Sequence, residues 1–593
     1  MAEALTHSIP RSVWYGWGDP GHDRTLPPAA WTQLRRRLGV RPLSLPRRPV
    51  DLADVRLPAS GLTDEGRAAL ESVVGARHVL DDREELISRA GGKSWPDLYR
   101  LWTGDGRAAA DVVVLPGDAD EVARVLAVCA EHRIAVIPRG GGTSVVGGLT
   151  RPADAAGLRG VALLDLQRLD RMLHCDPISR LATFQPGLRG PDIEAALHPL
   201  GLTLGHYPQS HQEATFGGYL ATRSAGQAST GYGRPDQHVV GVRLATPAGE
   251  LVVEPRTPAS AAGPRLLDLV LGSEGAFGVI TQATVRVQPL PTEKRHGAFM
   301  FDSYDEGWAA LRVLAQDLGK GVIPDVCRLS DEEETAVNLG HAGRAGTAML
   351  RYARLRGRHR PALLICVWEG TDASTLRARQ RASERALRRA GGVRMPSVVA
   401  TSWEKHRFDG PYARDVLLAH HVLADTLETA TTWDNLGALH DRVGAAIRGA
   451  LEVEGRRAVV MCHVSHVYAA GASLYYTFVS PEAADPLAQW QSVKDAACAA
   501  IIEGGGTITH HHAVGRDHRA WAEEEAGDLG VRTLRAVKWE LDPVGVMNPG
   551  ALIAVDPSTK AGTDVAGRSA ATTPTGRDAG AAASASRDDD GGR

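Results

Sequence analysis

Three consecutive histidines, His510, His511 and His512, follow GGGTIT late in a chain of 593 residues. Earlier stands an HxxH pair, His463 and His466, with Tyr468 two residues beyond. Imidazoles and phenols carry protons, but a tyrosine of free pKa about 10 is a poor base at neutral pH unless cations lie nearby. The histidine triplet would supply such cations, as would Arg328 in DVCRLSD and Arg414 in YARDVLL. Guanidinium forks also match phosphate, so the two arginines are candidates for an anion pocket. Each feature has a plainer reading: a solvated loop for the triplet, a core aromatic for Tyr468, surface ion pairs for the arginines. For His463 and His466 a metal reading lacks a third and fourth ligand. Residues three apart on a strand also face opposite sides, so no metal site is expected.

Chemistry of this kind needs a scaffold, and glycine punctuates it. PRGGGTSVVGG (138–148) follows a short apolar strand at 134–137. Gly140, Gly141 and Gly142 have no side chain to block the approach of backbone N–H groups to phosphate oxygens, with hydroxyls at Thr143 and Ser144. The loop is neither GxGxxG nor a P-loop. Two further glycine loops, QSHQEATFGGYLATRSAG (209–226) and LGSEGAFGVITQATV (271–285), border strand-like sequence. Three such loops suggest backbone drawn close to one extended ligand.

Around them, DVVVLP (111–116), VALLDL (161–166), VVGVRLAT (239–246) and ITQATVRV (280–287) read as strands. After Asp118 or Asp120 as cap, Val122, Val125, Leu126 and Cys129 share one helix face. ALLICVWEG is a strand, 372–391 an Arg-rich helix, VVMCHVSHVY and SLYYTFV a strand pair, and a helix contains Trp521. A helical pattern runs over 63–91. The expected organisation is a helical N-terminal region (1–104), a ligand-binding domain (105–292), a cap domain (293–500), a C-terminal active-site segment with a closing helix (501–555), and a disordered tail (556–593) too poor in apolar residues to order itself.

With 67 Lys+Arg against 70 Asp+Glu, the chain has no electrostatic footprint for nucleic acid. Six scattered cysteines without CxxC point to reduced thiols rather than disulfides or zinc. No apolar run spans a bilayer and no secretory signal is visible, so a cytoplasmic location is expected.

In their order, PRGGGTS, ATFGGYLATRSAG and GSEGAFGVITQATV resemble the FAD-binding domain of the vanillyl-alcohol-oxidase/PCMH flavoprotein superfamily. The resemblance implies an α+β fold: a PCMH-type domain of two α+β subdomains holding FAD, followed by an α+β cap. It implies FAD contacts from Pro138, Arg139, Gly140, Gly141, Gly142, Thr143 and Ser144, the pyrophosphate lying on this first loop. The second loop would contribute Gln209, Ser210, His211, Gln212, Glu213, Ala214, Thr215, Thr222, Arg223, Ser224 and Ala225. The third would contribute Glu274, Gly275, Ala276, Phe277, Gly278, Val279 and Ile280. Covalent members commonly carry a His in the first loop; this loop has none, which implies noncovalent FAD.

WYGWGDP (14–20), LGHYPQSHQEATFGGYLATRSAG, YARDVLLAHHVLADTLETATTWDNL, HVSHVYAAGASLYYTF and GGGTITHHHAVGR together resemble the alkyldihydroxyacetonephosphate synthase family. That family exchanges the acyl chain of acyl-dihydroxyacetone phosphate for a fatty alcohol without net redox change. The resemblance makes Tyr468 the proton donor and acceptor at the substrate's C1 and gives the phosphate to Arg414. Arg328 and His510–His512 would support activity, the imidazoles assisting departure of the carboxylate and arrival of the alkoxide, and Asn548–Leu552 would close the site. It further implies a homodimer and transient contact with a membrane surface. One departure stands out: residues 209–215 replace the family's usual Asp-Ser-Leu-Glu-Phe-Ser-Thr, keeping Ser210 and Thr215. The alternative is an FAD-linked oxidase or dehydrogenase of a 2-hydroxy acid or alcohol. Such D-lactate and glycolate dehydrogenases carry an HxGDGNxH-like metal motif where this chain has Ala470, Gly471 and Ala472.

Overall fold

The computed structural model describes residues 12–22, 25–40, 46–152, 157–256, 258–318 and 321–554. The tail expected to be disordered lies outside the described residues. Three sheets carry the glycine loops and the cap. In the first, the strand order is Val79–Leu80, Val112–Val114, Val161–Asp165, Ala135–Arg139, with the last three parallel. The helix Ala119–His132 covers it, capped by Asp118, whose carboxylate accepts the Glu121 N–H at 2.8 Å. Its buried stripe is the expected one, Val122, Val125, Leu126 and Cys129.

The second sheet is antiparallel, in the order Met172–Asp176, Leu181–Phe184, Val279–Arg286, Val239–Thr246, Gly249–Val253. The third, seven-stranded and antiparallel throughout, runs Val393–Met395, Glu293–Phe301, Ala362–Gly370, Val326–Ser330, Val459–Val464, Gly471–Pro481, Val422–Thr432. The helical pattern read over 63–91 is broken. Helix Asp64–Val74 stops at Gly75, whose φ of 82° a side chain disfavours, and Val79–Leu80 then joins the first sheet as an edge strand before helix Arg83–Ser88.

The seven-stranded sheet positions the chemistry. One face is packed into the largest core cluster through Cys462, Val464, Leu474, Tyr476, Phe478, Leu423 and Leu427. Period-two alternation sends the intervening residues to the other face. There His463 lies opposite Tyr475, Met461 opposite Thr477 and Val459 opposite Val479, while Glu428, Thr426 and Ala424 lie opposite the same three residues from the other side. Three neighbouring strands thus run from polar side chains at one end to apolar ones at the other.

Candidate active site

This face forms one wall of a cavity of about 560 Å³. All three glycine loops contribute to another wall, and Arg328, Arg414, His463, His466, Tyr475, His511 and His512 line it between them. At the far end the lining is Leu26, Ala30, Leu34, Val337, Leu417, Val459, Met461 and Val479.

The glycine triplet is demanded by packing against the second loop. A Cβ on Gly140 would fall 2.1 Å from Thr215 Oγ1, and one on Gly141 would fall 1.9 Å from the Glu213 carbonyl oxygen; Gly142 has φ +71°. The two loops therefore meet backbone to backbone. Thr215 Oγ1, buried on the cavity wall, has no hydrogen-bond partner. A cradle closed to side chains, with an orphaned hydroxyl in it, fits a phosphate-bearing cofactor such as FAD.

Of the expected cofactor contacts, Pro138 to Ser144, Gln209, Ser210, Ala214, Thr215, Thr222, Ser224, Ala225, Glu274, Gly275, Gly278, Val279 and Ile280 line the cavity. The others point elsewhere. His211 stacks on Phe408, Gln212 is exposed, and Glu213 lies 3.7 Å from Arg189. Arg223 pairs with Asp236 at 3.0 Å, and Ala276 and Phe277 pack with Ile553 in a separate apolar cluster. In the second and third loops consecutive side chains turn to different sides, so the runs read from sequence reach beyond the cavity lining there, whereas the whole of 138–144 lines it.

The histidine triplet is not a solvated loop. Glu428, 1% exposed, accepts the backbone N–H groups of His510 (2.7 Å), His511 (3.1 Å) and His512 (2.9 Å) and the Thr509 hydroxyl (2.5 Å). Burial alone would raise the Glu428 carboxyl, but His511 and its hydrogen bond, then His512 and His510, hold it well below its ordinary value. Burial, followed by the neighbouring His511, pushes His510 and His512 down to about 3, so both are neutral. His466 is likewise held neutral by burial beside His510, and its Nδ1 has no partner. The nitrogens of His466, His510 and His511 lie within 4.8 Å of one another. Strand parity had set His463 and His466 on opposite sides. The strand ends at Val464, however, and both reach the cavity wall.

Tyr468 is not on that wall. It sits in the turn between two strands, its hydroxyl 2.7 Å from His510 Nε2, with both residues behind His466 and His511. Two other tyrosines line the cavity, Tyr219 of the second glycine loop and Tyr475; of these Tyr475 stands among the imidazoles, stacking on His463 and His511 and meeting His512 edge-on. Burial pushes both tyrosines up to about 12. Period-two pairing with His463 was the signal available for Tyr475.

The two arginines differ. Arg328 is engaged, donating to His463 Nε2 at 2.9 Å and to Glu334 at 2.6 Å. Arg414, on helix Gly410–Ala419, donates Nη1 to the Lys93 carbonyl, while its buried Nε and Nη2 have no hydrogen-bond partner. Lys93, missed in the sequence, lies in the same neighbourhood, and burial lowers its amine to about 8. Glu274 accepts the Val514 and Gly515 N–H groups, and Asn548 donates to the Gly148 and Glu274 carbonyls. The C-terminal segment is thereby fastened to two glycine loops.

Residues 110–253 match the family model described as FAD binding domain, and residues 290–552 the one described as FAD linked oxidases, C-terminal domain. An alkyldihydroxyacetonephosphate synthase of Trypanosoma brucei brucei is 29% identical over 94% of each chain. That of Dictyostelium discoideum is 32% identical over 80% of this chain and 78% of its own. A solved alkyldihydroxyacetonephosphate synthase structure superposes with a TM-score of 0.77 at 26% identity, covering 91% of this chain and 98% of that one. The identity and coverage, together with the matched FAD modules, establish that this chain belongs to the alkyldihydroxyacetonephosphate synthase family.

Proposed function

We propose that the protein is an FAD-dependent alkylglycerone-phosphate synthase: acyl-dihydroxyacetone phosphate and a fatty alcohol give the alkyl ether and a fatty acid. The observation that carries this reading is one continuous cavity joining the glycine loops, a guanidinium that keeps two buried nitrogens without a hydrogen bond beside Asp415 at 3.6 Å, a tyrosine among imidazoles and an apolar end. A redox site for a small hydroxy acid has no need of that apolar end.

The exchange breaks the C1–O bond to the acylate, forms the C1–O bond to the alcohol, and passes the alcohol's proton on. Bound FAD would supply the nucleophilic ring nitrogen that substitution at C1 requires. Arg414 offers two N–H groups to the phosphate and so sets the distance from headgroup to C1. Tyr475, protonated at neutral pH, holds the proton exchanged at C1. His511 Nδ1 lies 3.3 Å from Glu428 and 3.1 Å from His510 Nδ1. A proton on His511 Nδ1 satisfies both acceptors, leaves its Nε2 bare as a base on the cavity wall, and makes His510 donate Nε2–H to Tyr468. Tyr468 then anchors the triplet rather than touching substrate. The acyl and alkyl chains occupy the end lined by Leu34, Val459, Met461 and Val479.

Incubated anaerobically with palmitoyl-dihydroxyacetone phosphate and hexadecanol, the yellow protein is expected to release fatty acid and form ether in equal amounts with no added electron acceptor. Lasting bleaching of the flavin by an alcohol or hydroxy acid, with no ether made, would assign it instead as a dehydrogenase. Arg414→Gln should raise KM for the phosphate substrate by about 10- to 100-fold, the worth of a charged hydrogen-bond pair, with FAD content unchanged. An unaltered KM would remove Arg414 from the phosphate site.

A further inference from the structure

In sequence the HxxH pair lacks further metal ligands, but the fold brings them to His466. His466 follows the strand Val459–Val464 and lies against the histidine triplet. Its ring stacks on His510 and meets His511 edge-on, with centroids 4.9 and 5.1 Å away. One nitrogen from each of His466, His510 and His511 falls within 4.8 Å of the other two. Among the described residues no other three His, Cys, Asp or Glu side chains are grouped in this way.

Each ring has a nitrogen to give. His510 meets the Tyr468 hydroxyl through Nε2 at 2.7 Å, which leaves Nδ1, and that atom lies 3.1 Å from His511 Nδ1. Two nitrogens at about 2.0–2.1 Å from one tetrahedral ion stand about 3.3 Å apart, close to this spacing. His466 Nδ1 is buried and has no hydrogen-bond partner. Burial keeps His466 and His510 neutral, the form that ligates metal. Glu428, 3.3 Å from His511 Nδ1, sets a buried negative charge beside the three rings. Arg234 donates to the His510 carbonyl at 3.2 Å, but its charge is matched by Asp236 at 2.6 Å. Tyr468 fixes the His510 ring from behind, as outer-shell partners of metal-bound histidines do. His466 and His511 border the cavity, so an ion held between them keeps an open position toward it.

We infer that His466, His510 and His511 form a site for one divalent transition-metal ion such as Zn²⁺. Imidazole nitrogens suit Zn²⁺, Co²⁺ or Ni²⁺, whereas Mg²⁺ and Ca²⁺ take oxygen ligands. A neutral imidazole that ligates through one nitrogen holds its proton on the other, so binding moves the His511 proton from Nδ1 to Nε2. Nε2 then no longer acts as a base, and the ion stops turnover. That consequence rests on the function proposed above. The site is a metal-sensitive brake on the exchange rather than part of its chemistry.

The test uses the FAD-loaded full chain, stripped with a chelator and titrated with Zn²⁺ by equilibrium dialysis, bound metal being counted by elemental analysis. Uptake of one Zn²⁺ per chain is expected, undisturbed by excess Mg²⁺. Co²⁺ in its place should give the visible bands of a tetrahedral ion at longer wavelength than the flavin. His466→Asn should weaken Zn²⁺ binding by at least about 100-fold, since loss of a mere outer-shell partner costs about 10- to 100-fold. Tyr468→Phe removes such a partner and should weaken binding by about tenfold or more. Turnover should fall in step with Zn²⁺ occupancy and return with chelator. No Zn²⁺ uptake overturns the site. So does an affinity unchanged by His466→Asn or, where that variant fails to hold FAD, by Tyr468→Phe. Full occupancy with turnover intact overturns the brake. Zn²⁺ uptake by a protein that forms no ether overturns only the transferase reading.

Discussion

Tyr475→Phe is expected to lower turnover by about two to four orders of magnitude, the usual worth of a positioned proton-transfer group, with FAD still bound. Tyr468→Phe should cost less than about tenfold. Phenylalanine keeps the ring that Tyr475 stacks on His463 and His511, so the loss isolates the hydroxyl. Tyr475 lies on the cavity wall beside His511 and His512, in a strand paired on both edges. Tyr468 lies in a turn and spends its hydroxyl on His510. Burial holds the Tyr475 phenol near 12, so it enters the reaction as an acid and becomes a base only after giving up its proton. Its contribution should therefore persist across neutral pH. The comparison is decided by single-turnover rates of both variants alongside flavin absorbance. An inactive Tyr468→Phe beside a fully active Tyr475→Phe would place proton transfer on Tyr468 after all.

The difference between the two tyrosines also shows what could be read from residues alone. The glycine loops were legible because a missing Cβ leaves a mark in sequence, and Gly140 and Gly141 indeed meet the second loop where no side chain fits. Arg414 and the histidine triplet could be singled out by residue type, but so could their plainer readings as a surface ion pair and a solvated loop; only the fold brings Arg414, His511 and His512 to one cavity wall. Parity was harder. Tyr468 and Tyr475 stand seven residues apart, and only the turn at 469–470 and the register His463–Tyr475 decide which reaches the cavity. Glu428 was illegible for a deeper reason. It sits in VLADTLETATT as one of two acids, with Asp425, in an alternating strand, and its donors are backbone N–H groups more than eighty residues away. A main-chain donor has no residue type, so nothing in the sequence marks a carboxylate that serves one. His466 was seen, but only as half of an HxxH pair whose metal reading was set aside, not as a neighbour of His510.

Because Glu428 gathers four donors, Glu428→Gln should be severe. The amide keeps one acceptor oxygen, and its NH₂ would face N–H groups that have no other partner. Leaving buried donors unsatisfied costs about 1–3 kcal/mol each, and a displacement of about 1 Å in the imidazoles is enough for a hundredfold loss of rate. We expect turnover to fall by at least about 100-fold and the thermal midpoint to drop, while FAD, which is cradled by other loops, is retained. The pH dependence separates this role from simple loss of packing. Glu428 has a depressed pKa, so its stabilisation is fully present above the unfolded carboxyl value of about 4.3 and is lost only as pH falls through the lower folded value. His510 and His512 work in a different window. Each takes up a proton in the unfolded chain near pH 6.5 but in the fold only near 3, so acidification below about 6.5 destabilises the protein through them. Denaturation midpoints of the unaltered protein should therefore decline from about pH 6.5 downward, whereas the gap between it and Glu428→Gln should hold steady to about pH 4 and close only below that. A gap that instead widened as pH fell below about 6.5 would mean that the carboxylate pairs with charged imidazoles rather than with backbone donors alone, and the neutral state of His510 and His512 would fall with it.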